Sequence, residues 1–287
     1  MNDQFGVDPC AAPTFLELAS LLRQFGPEHG RFIVKFPFEW HEQVRAHHYA
    51  DLGDSDRLRL TELLRVAKRS PLPTSTHYSD ALPWLKNAEH LKDIQGLIGP
   101  PGSTPPVRTV ADVLCDPDAL PDCRGDHIAR TPDAYANAAR PLFQISSKVV
   151  LIDRYFRLRY PTQDSHGTRR DNRYARSLKA LISAAQAEKV EVFKLMVSDK
   201  QTMIDIDKGS EFEADLAAIL REAGGSDIQI EYDLLEDHSL DRHPRYLLGN
   251  ECGLRFDWGF EVRNDNLTNH IEWIGRAALK PLLERFM

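Results

Sequence analysis

The feature that most constrains the fold is a nearly continuous apolar run from Lys148 to Asp153, followed by regularly spaced helix and strand patterns. An apolar run of this kind is typical of a strand buried on both faces of a sheet. Further patterns predict a helix over 171–187, a strand over 190–197, a helix over 211–223 and a strand over 228–232. This order predicts an α/β fold with a mixed, largely parallel sheet and flanking helices.

The C-terminal end of the chain completes this predicted domain, which we place at residues 143–287. Two strand patterns, 242–248 and 254–262, are joined by a short glycine-containing connector. The short connector predicts an antiparallel hairpin, which we place at a sheet edge. The apolar spacing from Leu267 to Phe286 then predicts one long final helix.

The first 142 residues predict a mainly helical region. Apolar side chains recur at helical spacing over 14–26, 40–49 and 81–98 and from about 132 to 139. Ser55 or Asp56 can cap a further helix, and one run, at 31–36, is β-prone. A proline-rich stretch at 99–106 lies where the break between the two halves begins. We expect this N-terminal region to recognise a protein partner or to pack on the second half.

Composition narrows the function classes. The net charge of -7 argues against a protein that coats nucleic acid through its overall charge, although an acidic protein can still carry a local basic patch. The four scattered cysteines fit neither a disulfide framework nor a zinc ribbon, so we expect reduced thiols, no metal and no cofactor. A metal site could be imagined at Trp40, His41, His47 and His48. No acidic or cysteine side chain stands at ligand spacing from them, so we expect these histidines to be surface residues. With no apolar run of about 18 residues, we expect a cytoplasmic protein without membrane contact.

Two segments could carry chemistry. Asp153 ends the first predicted strand, where ligands gather in α/β sheets, although an aspartate there can equally be a loop cap. In the segment His243-Pro244-Arg245, strand alternation places His243 and Arg245 on one face. A guanidinium beside an imidazole can bind a phosphate, with histidine attacking the phosphorus or transferring a proton. The alternative is a solvated edge strand, which proline and charged residues also suit.

An arginine-rich segment follows the first predicted strand. Its arginines are interleaved with Tyr155, Phe156, Tyr160 and Tyr174, a composition suited to phosphate and single-strand contact. The alternative is a mobile, solvated loop around Gly167. The arginines are Arg154, Arg157, Arg159, Arg169, Arg170, Arg173 and Arg176.

The C-terminal half resembles the phospholipase D superfamily. The resemblance lies in the order of elements from Val149 and in His243-Pro244-Arg245 followed by Asn250 and Gly253, which is similar to the superfamily signature His-x-Lys-x4-Asp with a following glycine. The resemblance implies a phosphodiester site in which His243 is the nucleophile and Arg245 holds the phosphate. It departs from the signature because arginine replaces lysine, Asn250 replaces the orienting aspartate, and a single copy is present where active members use two.

These departures lead to three expectations for function. The first is a catalytically degenerate, nucleic-acid-binding subunit of a bacterial phage-defence or mobile-element system, a setting implied by the resemblance alone. It would contact DNA or RNA through Arg154, Arg169, Arg170 and Arg173, with His243, Arg245, Asn250 and Asp153 at the phosphate. The second is a metal-independent phosphodiesterase or nuclease that acts as a homodimer. The third is a scaffold that binds protein partners through the N-terminal half.

Overall fold

The computed structural model divides the chain into two compact units, which we call the N-terminal unit, Met1–Arg124, and the C-terminal unit, Gly125–Met287. Each is described by itself. The structure describes residues 3–26, 29–69, 72–73, 77–92, 94–104, 106–116, 119–120, 125–161, 168–170, 172–198, 209–224, 227–235, 245–263 and 266–286.

The N-terminal unit contains a five-stranded parallel sheet with the strand order β3-β2-β1-β4-β5. Its strands are β1 (Asp3–Val7), β2 (Arg31–Lys35), β3 (Leu72–Pro73), β4 (Gly96–Gly99) and β5 (Arg108–Thr109). Its helices are α1 (Phe15–Leu22), α2 (Trp40–His48), α3 (Asp54–Arg69), α4 (Trp84–Ala88) and α5 (Val110–Cys115).

The sheet corrects the prediction of a mainly helical N-terminal region. The predicted strand at 31–36 and the helix at 40–49 are confirmed as β2 and α2. The predicted helix over 81–98 is wrong, because among the residues described in that range only α4 is helical and β4 follows it. The strands are two to five residues long, which is too short for an alternating pattern to be recognised in the sequence.

Apolar side chains from both the sheet and the helices form the core of the N-terminal unit. Ile33 of β2, Leu21 of α1 and Leu60 of α3 are fully buried in one cluster. The Trp40 indole Nε1 donates a hydrogen bond of 2.6 Å to the Val7 carbonyl, which satisfies its polar atom inside that core. The unit therefore has its own hydrophobic core.

The C-terminal unit is built on a seven-stranded mixed sheet with the order β11-β10-β7-β12-β13-β14-β6. Its strands are β6 (Gly125–Ala129), β7 (Lys148–Asp153), β10 (Val192–Ser198), β11 (Gln229–Leu235), β12 (Arg245–Leu248), β13 (Gly253–Phe256) and β14 (Thr268–Ile274). A separate two-stranded ribbon is formed by β8 (Arg159–Pro161) and β9 (Thr168–Arg170). The helices are α6 (Pro132–Gln144), α7 (Asn172–Ala187), α8 (Gly209–Glu222) and α9 (Arg276–Phe286).

The sheet confirms the prediction of a mixed α/β architecture flanked by helices, but the prediction that it is largely parallel is wrong, because two of its six described strand pairings are parallel. Strands β7, β10 and β11 are parallel, whereas β12, β13, β14 and β6 continue the sheet with antiparallel pairings. Both faces of β7 are covered, since Val149 and Leu151 are fully buried and Val150 and Ile152 pack with the α9 residue Leu279. This double burial explains the uninterrupted apolar run.

Two predictions about the end of the chain are wrong. The β12–β13 hairpin lies inside the sheet rather than at its edge, because β12 also pairs with β7. Residues 268–274 form β14 rather than the first half of a helix, and α9 begins at Arg276. Their buried side chains alternate along the strand at Asn269, Ile271 and Trp273.

The C-terminal unit begins at Gly125, before the predicted start at residue 143. The reason is that β6 pairs with β14 and so belongs to the same sheet. Helix α6 begins after Thr131, whose side chain accepts a hydrogen bond from the Ala134 amide. Within the described ranges, no helix has the length and apolar character needed to cross a bilayer.

Candidate functional site

The carboxyl end of β7 brings together two of the predicted site residues. Asp153, the last residue of β7, lies opposite Arg245, the first residue of β12, in the antiparallel register. The edge of the sheet where β7, β10 and β11 end is therefore also where β12 begins. We call the group formed by Asp153, Tyr155, Arg245 and Gly259 the arginine site.

Asp153 is the buried base of the arginine site, with 0% of its surface exposed. Its Oδ1 accepts a hydrogen bond of 2.9 Å from the Tyr155 amide, and its Oδ2 accepts one of 3.2 Å from the Phe260 amide. Burial raises the pKa of Asp153 to about 6, against the lowering effect of these amides and of the Arg245 charge. Because the carboxylate is enclosed, it can position neighbouring groups but does not contact an external ligand.

Gly259 makes this close packing possible. Its φ of +73° lies in the region that glycine adopts readily. A Cβ atom at this position would lie 2.6 Å from the Asp153 Oδ2 and 3.2 Å from the Arg245 Cδ. A larger residue would therefore displace both side chains of the arginine site.

Arg245 supplies the cation of the arginine site. Its Nη1 donates a hydrogen bond to the Asp257 carbonyl, and its guanidinium carbon lies 5.2 Å from the centre of the Tyr155 ring. The side chain is partly exposed, although its Nε is buried and has no hydrogen-bond partner among the described residues, so the Nη groups are the donors that an external ligand can reach. A guanidinium held in this way can donate to an oxyanion through its remaining N–H groups.

A fixed loop, residues 257–260, lies against the arginine site. The Trp258 amide donates a 3.0 Å hydrogen bond to the Asn269 Oδ1, and the Asn269 Nδ2 donates one of 2.7 Å to the Gly259 carbonyl. The Tyr135 hydroxyl also donates to that carbonyl, at 3.2 Å. Burial raises the pKa of this hydroxyl, so it remains a proton donor at neutral pH.

Arg173, a predicted nucleic-acid contact, pairs with the carboxylate of Glu261. The same carboxylate lies 3.2 Å from the buried Arg130 and 3.0 Å from Arg263. Arg173 therefore helps to balance a largely buried acid, and its charge is not available in full to an external ligand.

The other arginines of the segment after β7 have different environments. Arg159 lies 2.7 Å from Asp215 and 3.0 Å from Glu211, both on α8, so it holds the β8–β9 ribbon to that helix. Arg154 is partly exposed, with its guanidinium 6.0 Å from the centre of the Tyr155 ring. The backbones of Arg169 and Arg170 lie in β9, and their side chains fall outside the described part of the chain.

Two predicted site residues remain, His243 and Asn250. His243 precedes β12 and lies outside the described residues. Asn250 is exposed in the turn after β12, at the opposite end of that strand from Arg245. At about 3.3 Å per residue, the strand alone separates the two by roughly 10 Å.

Sequence reasoning missed the residues that support the arginine site. Tyr135 and Asn269 act through the 257–260 loop, and neither lies in a recognisable motif. Gly259 had a weak sequence signal, since a lone glycine between Trp258 and Phe260 is typical of a close backbone approach. Among the residues that the structure describes, no group of three or more histidine, cysteine, aspartate or glutamate side chains could hold a metal ion.

Comparisons with known proteins leave the family open. No family model matches the chain, and no curated protein matches it. Among solved structures, the chain is similar to TrmBL2, an archaeal chromatin protein described as showing a novel mode of DNA binding, with 13% identity and a TM-score of 0.30. That match covers 61% of this chain and 55% of the archaeal chain, and its low TM-score carries no argument about fold or function.

Proposed function

We propose that the C-terminal unit binds nucleic acid through the arginine site, as a phosphate-binding module of phospholipase D-like fold without hydrolytic activity. The observation that carries the proposal is Arg245, which is fixed at the carboxyl edge of the parallel strands and partly exposed. Ligands of α/β sheets gather at such edges. The resemblance of His243-Pro244-Arg245 to a phosphodiester motif supports the same ligand chemistry.

The surroundings of Arg245 favour a guanidinium that binds an external phosphate over one that serves only as an internal ion-pair partner of Asp153. Each oxygen of Asp153 already accepts a backbone amide, so the carboxylate does not depend on the guanidinium for its hydrogen bonds. Tyr155 and the Asp257 carbonyl limit the rotation of the guanidinium. A fixed guanidinium loses less conformational entropy on binding a phosphate than a mobile one does.

Two features argue for binding without hydrolysis. Asp153 is enclosed, so it cannot act as an acid or base on a substrate. Asn250, which replaces the aspartate of the signature, lies at the far end of β12 and cannot activate a group beside Arg245. We therefore assign Asp153 to positioning rather than to catalysis.

The direct test is fluorescence anisotropy with labelled DNA and RNA oligonucleotides in EDTA. Arg245→Gln should weaken binding about tenfold, as expected for the loss of one or two charge-assisted hydrogen bonds. Arg140→Gln, at an exposed arginine of α6 in the same unit, is the matched control and should change affinity less than about twofold. Equal losses in the two variants would contradict the assignment of the site to Arg245.

The hydrolytic alternative is tested on the same samples. Denaturing gels would show shortened oligonucleotides if the protein were a metal-independent nuclease. Products formed by the wild type and absent with His243→Ala would replace the binding proposal with the enzyme. Intact oligonucleotides in both samples are the expected result.

A further inference from the structure

Trp258 is an exposed aromatic side chain beside the arginine site. It is 62% exposed, whereas Trp40, Trp84 and Trp273 are 1%, 7% and 3% exposed. A large exposed aromatic side chain is costly to leave in water, although single cases are common on protein surfaces. Trp258 differs from such single cases because hydrogen bonds fix its backbone.

The 257–260 loop fixes the backbone of Trp258 from several directions. The Asp257 amide donates to the His270 carbonyl at 3.0 Å, and the Trp258 amide donates to Asn269. The Gly259 carbonyl accepts from both Asn269 and Tyr135, and the Phe260 amide donates to the enclosed Asp153. The indole is therefore presented to solvent on a rigid support rather than on a flexible loop.

The loop also connects the backbone of Trp258 to the group that binds the cation. The Asp257 carbonyl, which accepts from Arg245, is joined by the peptide bond to the Trp258 nitrogen. The Arg245 guanidinium also lies over the Tyr155 ring. The Asp257 carboxylate lies 3.3 Å from the His270 Nδ1 and 3.8 Å from the Arg255 Nη2.

An exposed indole, one residue along the chain from the carbonyl that binds the guanidinium, matches the chemistry of an unpaired nucleotide. Proteins that bind single strands stack bases on aromatic side chains while cationic groups follow the phosphates. In a duplex the base faces are covered by neighbouring base pairs, so they cannot stack on the indole unless a base is extruded. The geometry therefore discriminates between the two forms of the polymer.

We propose that Trp258 is a stacking platform for an unpaired base of single-stranded nucleic acid whose adjacent phosphate is held by Arg245. This inference rests on the proposed function and adds the class of polymer. Trp258 is then the residue that selects single strands over duplexes, and Arg245 is the residue that binds either form through the backbone.

The experiment uses the full-length protein with three probes of equal length: a single-stranded oligothymidylate, the same strand with abasic sites, and a duplex. The wild type should bind the oligothymidylate about tenfold more tightly than the abasic strand, as expected for stacking of one base. Trp258→Leu should remove that difference, and Trp258→Phe should retain part of it. Leu267→Ala, at another exposed apolar residue of the unit, should leave it unchanged.

Tryptophan fluorescence gives a second readout. Because the other three indoles are buried, quenching by the oligothymidylate should come from Trp258 and should be absent in Trp258→Leu. Equal affinity of the wild type for the three probes, with no quenching, would overturn the stacking proposal while leaving phosphate binding intact. If no probe bound even at low salt, the proposed function itself would fail.

Discussion

At the residue scale, the enclosed Asp153 makes stability depend on pH. Its pKa is raised to about 6 in the folded state, against about 3.9 for an unfolded chain, so the folded protein prefers the protonated form. The protonated Asp153 therefore stabilises the fold fully below pH 4, and this stabilisation is lost as the pH rises through 6. Between pH 4 and 7, the free energy of unfolding of the wild type should fall by up to about 3 kcal/mol relative to that of Asp153→Asn.

Urea unfolding of the wild type and Asp153→Asn at several pH values between 4 and 7 measures this difference. The comparison removes the contribution of other titrating groups, because both proteins share them. A difference that stays constant, or that grows in favour of the wild type as the pH rises, would contradict the raised pKa.

Gly259 should tolerate no side chain. Gly259→Ala combines a positive φ with a Cβ placed 2.6 Å from the Asp153 Oδ2, so we expect a loss of about 2–4 kcal/mol and weaker nucleic-acid binding. Gly224 is the matched control, because its φ is +74° and a Cβ there would meet nothing within 4 Å. Gly224→Ala should cost about 1–2 kcal/mol, and equal losses at the two positions would show that the contact with Asp153 is unimportant.

At the element scale, β14 supports the 257–260 loop through Asn269. This fully buried side chain bonds the Trp258 amide, the Gly259 carbonyl and the Tyr135 hydroxyl. Asn269→Ala removes the partner of the Trp258 amide and one of the two hydrogen bonds to the Gly259 carbonyl, so we expect a loss of about 2–4 kcal/mol in urea unfolding and faster motion of Trp258 in time-resolved fluorescence anisotropy. Asn137→Ala, at an exposed position of α6, should change stability by less than about 0.5 kcal/mol.

Much of the C-terminal sheet could be predicted because burial leaves a pattern in the sequence. The run ending at Asp153 and the alternation of helices and strands after it follow from strands covered on both faces. The residues of β14 were harder, since Ile271 and Ile274 also fit a helical repeat that continues into α9. Apolar spacing alone does not separate the two in so short a segment.

Two residues of the candidate site were predictable from the sequence, but its geometry was not. Asp153 and Arg245 stood out as a strand-end acid and as part of a short basic motif. Their pairing depends on β12 joining β7 in the middle of the sheet, which requires knowledge of the strand order. Trp258 had no sequence signal beyond its aromatic character, because its exposure is set by the loop rather than by periodicity.

At the scale of the whole molecule, the proposed function requires a chain with a net charge of -7 to bind a polyanion through one local site. The overall field opposes such binding, so the affinity must come from short-range contacts with phosphate and base. Few phosphates are then neutralised, and we expect a shallow dependence of affinity on salt. A protein that coats nucleic acid with a basic surface would show a steep one.

The central claim, that Arg245 binds a phosphate, is tested most directly by the salt dependence of binding to a single-stranded oligonucleotide. The measurement compares the wild type with an Asp153→Asn/Arg245→Gln double variant. The double variant removes both charges together and so leaves no uncompensated buried carboxylate, and circular dichroism tests whether it is folded. We predict that its plot of log Kd against log salt is shallower than that of the wild type by about 0.7, the value for one phosphate contact on a single strand. Identical slopes and affinities for the two proteins would contradict a phosphate bound at Arg245.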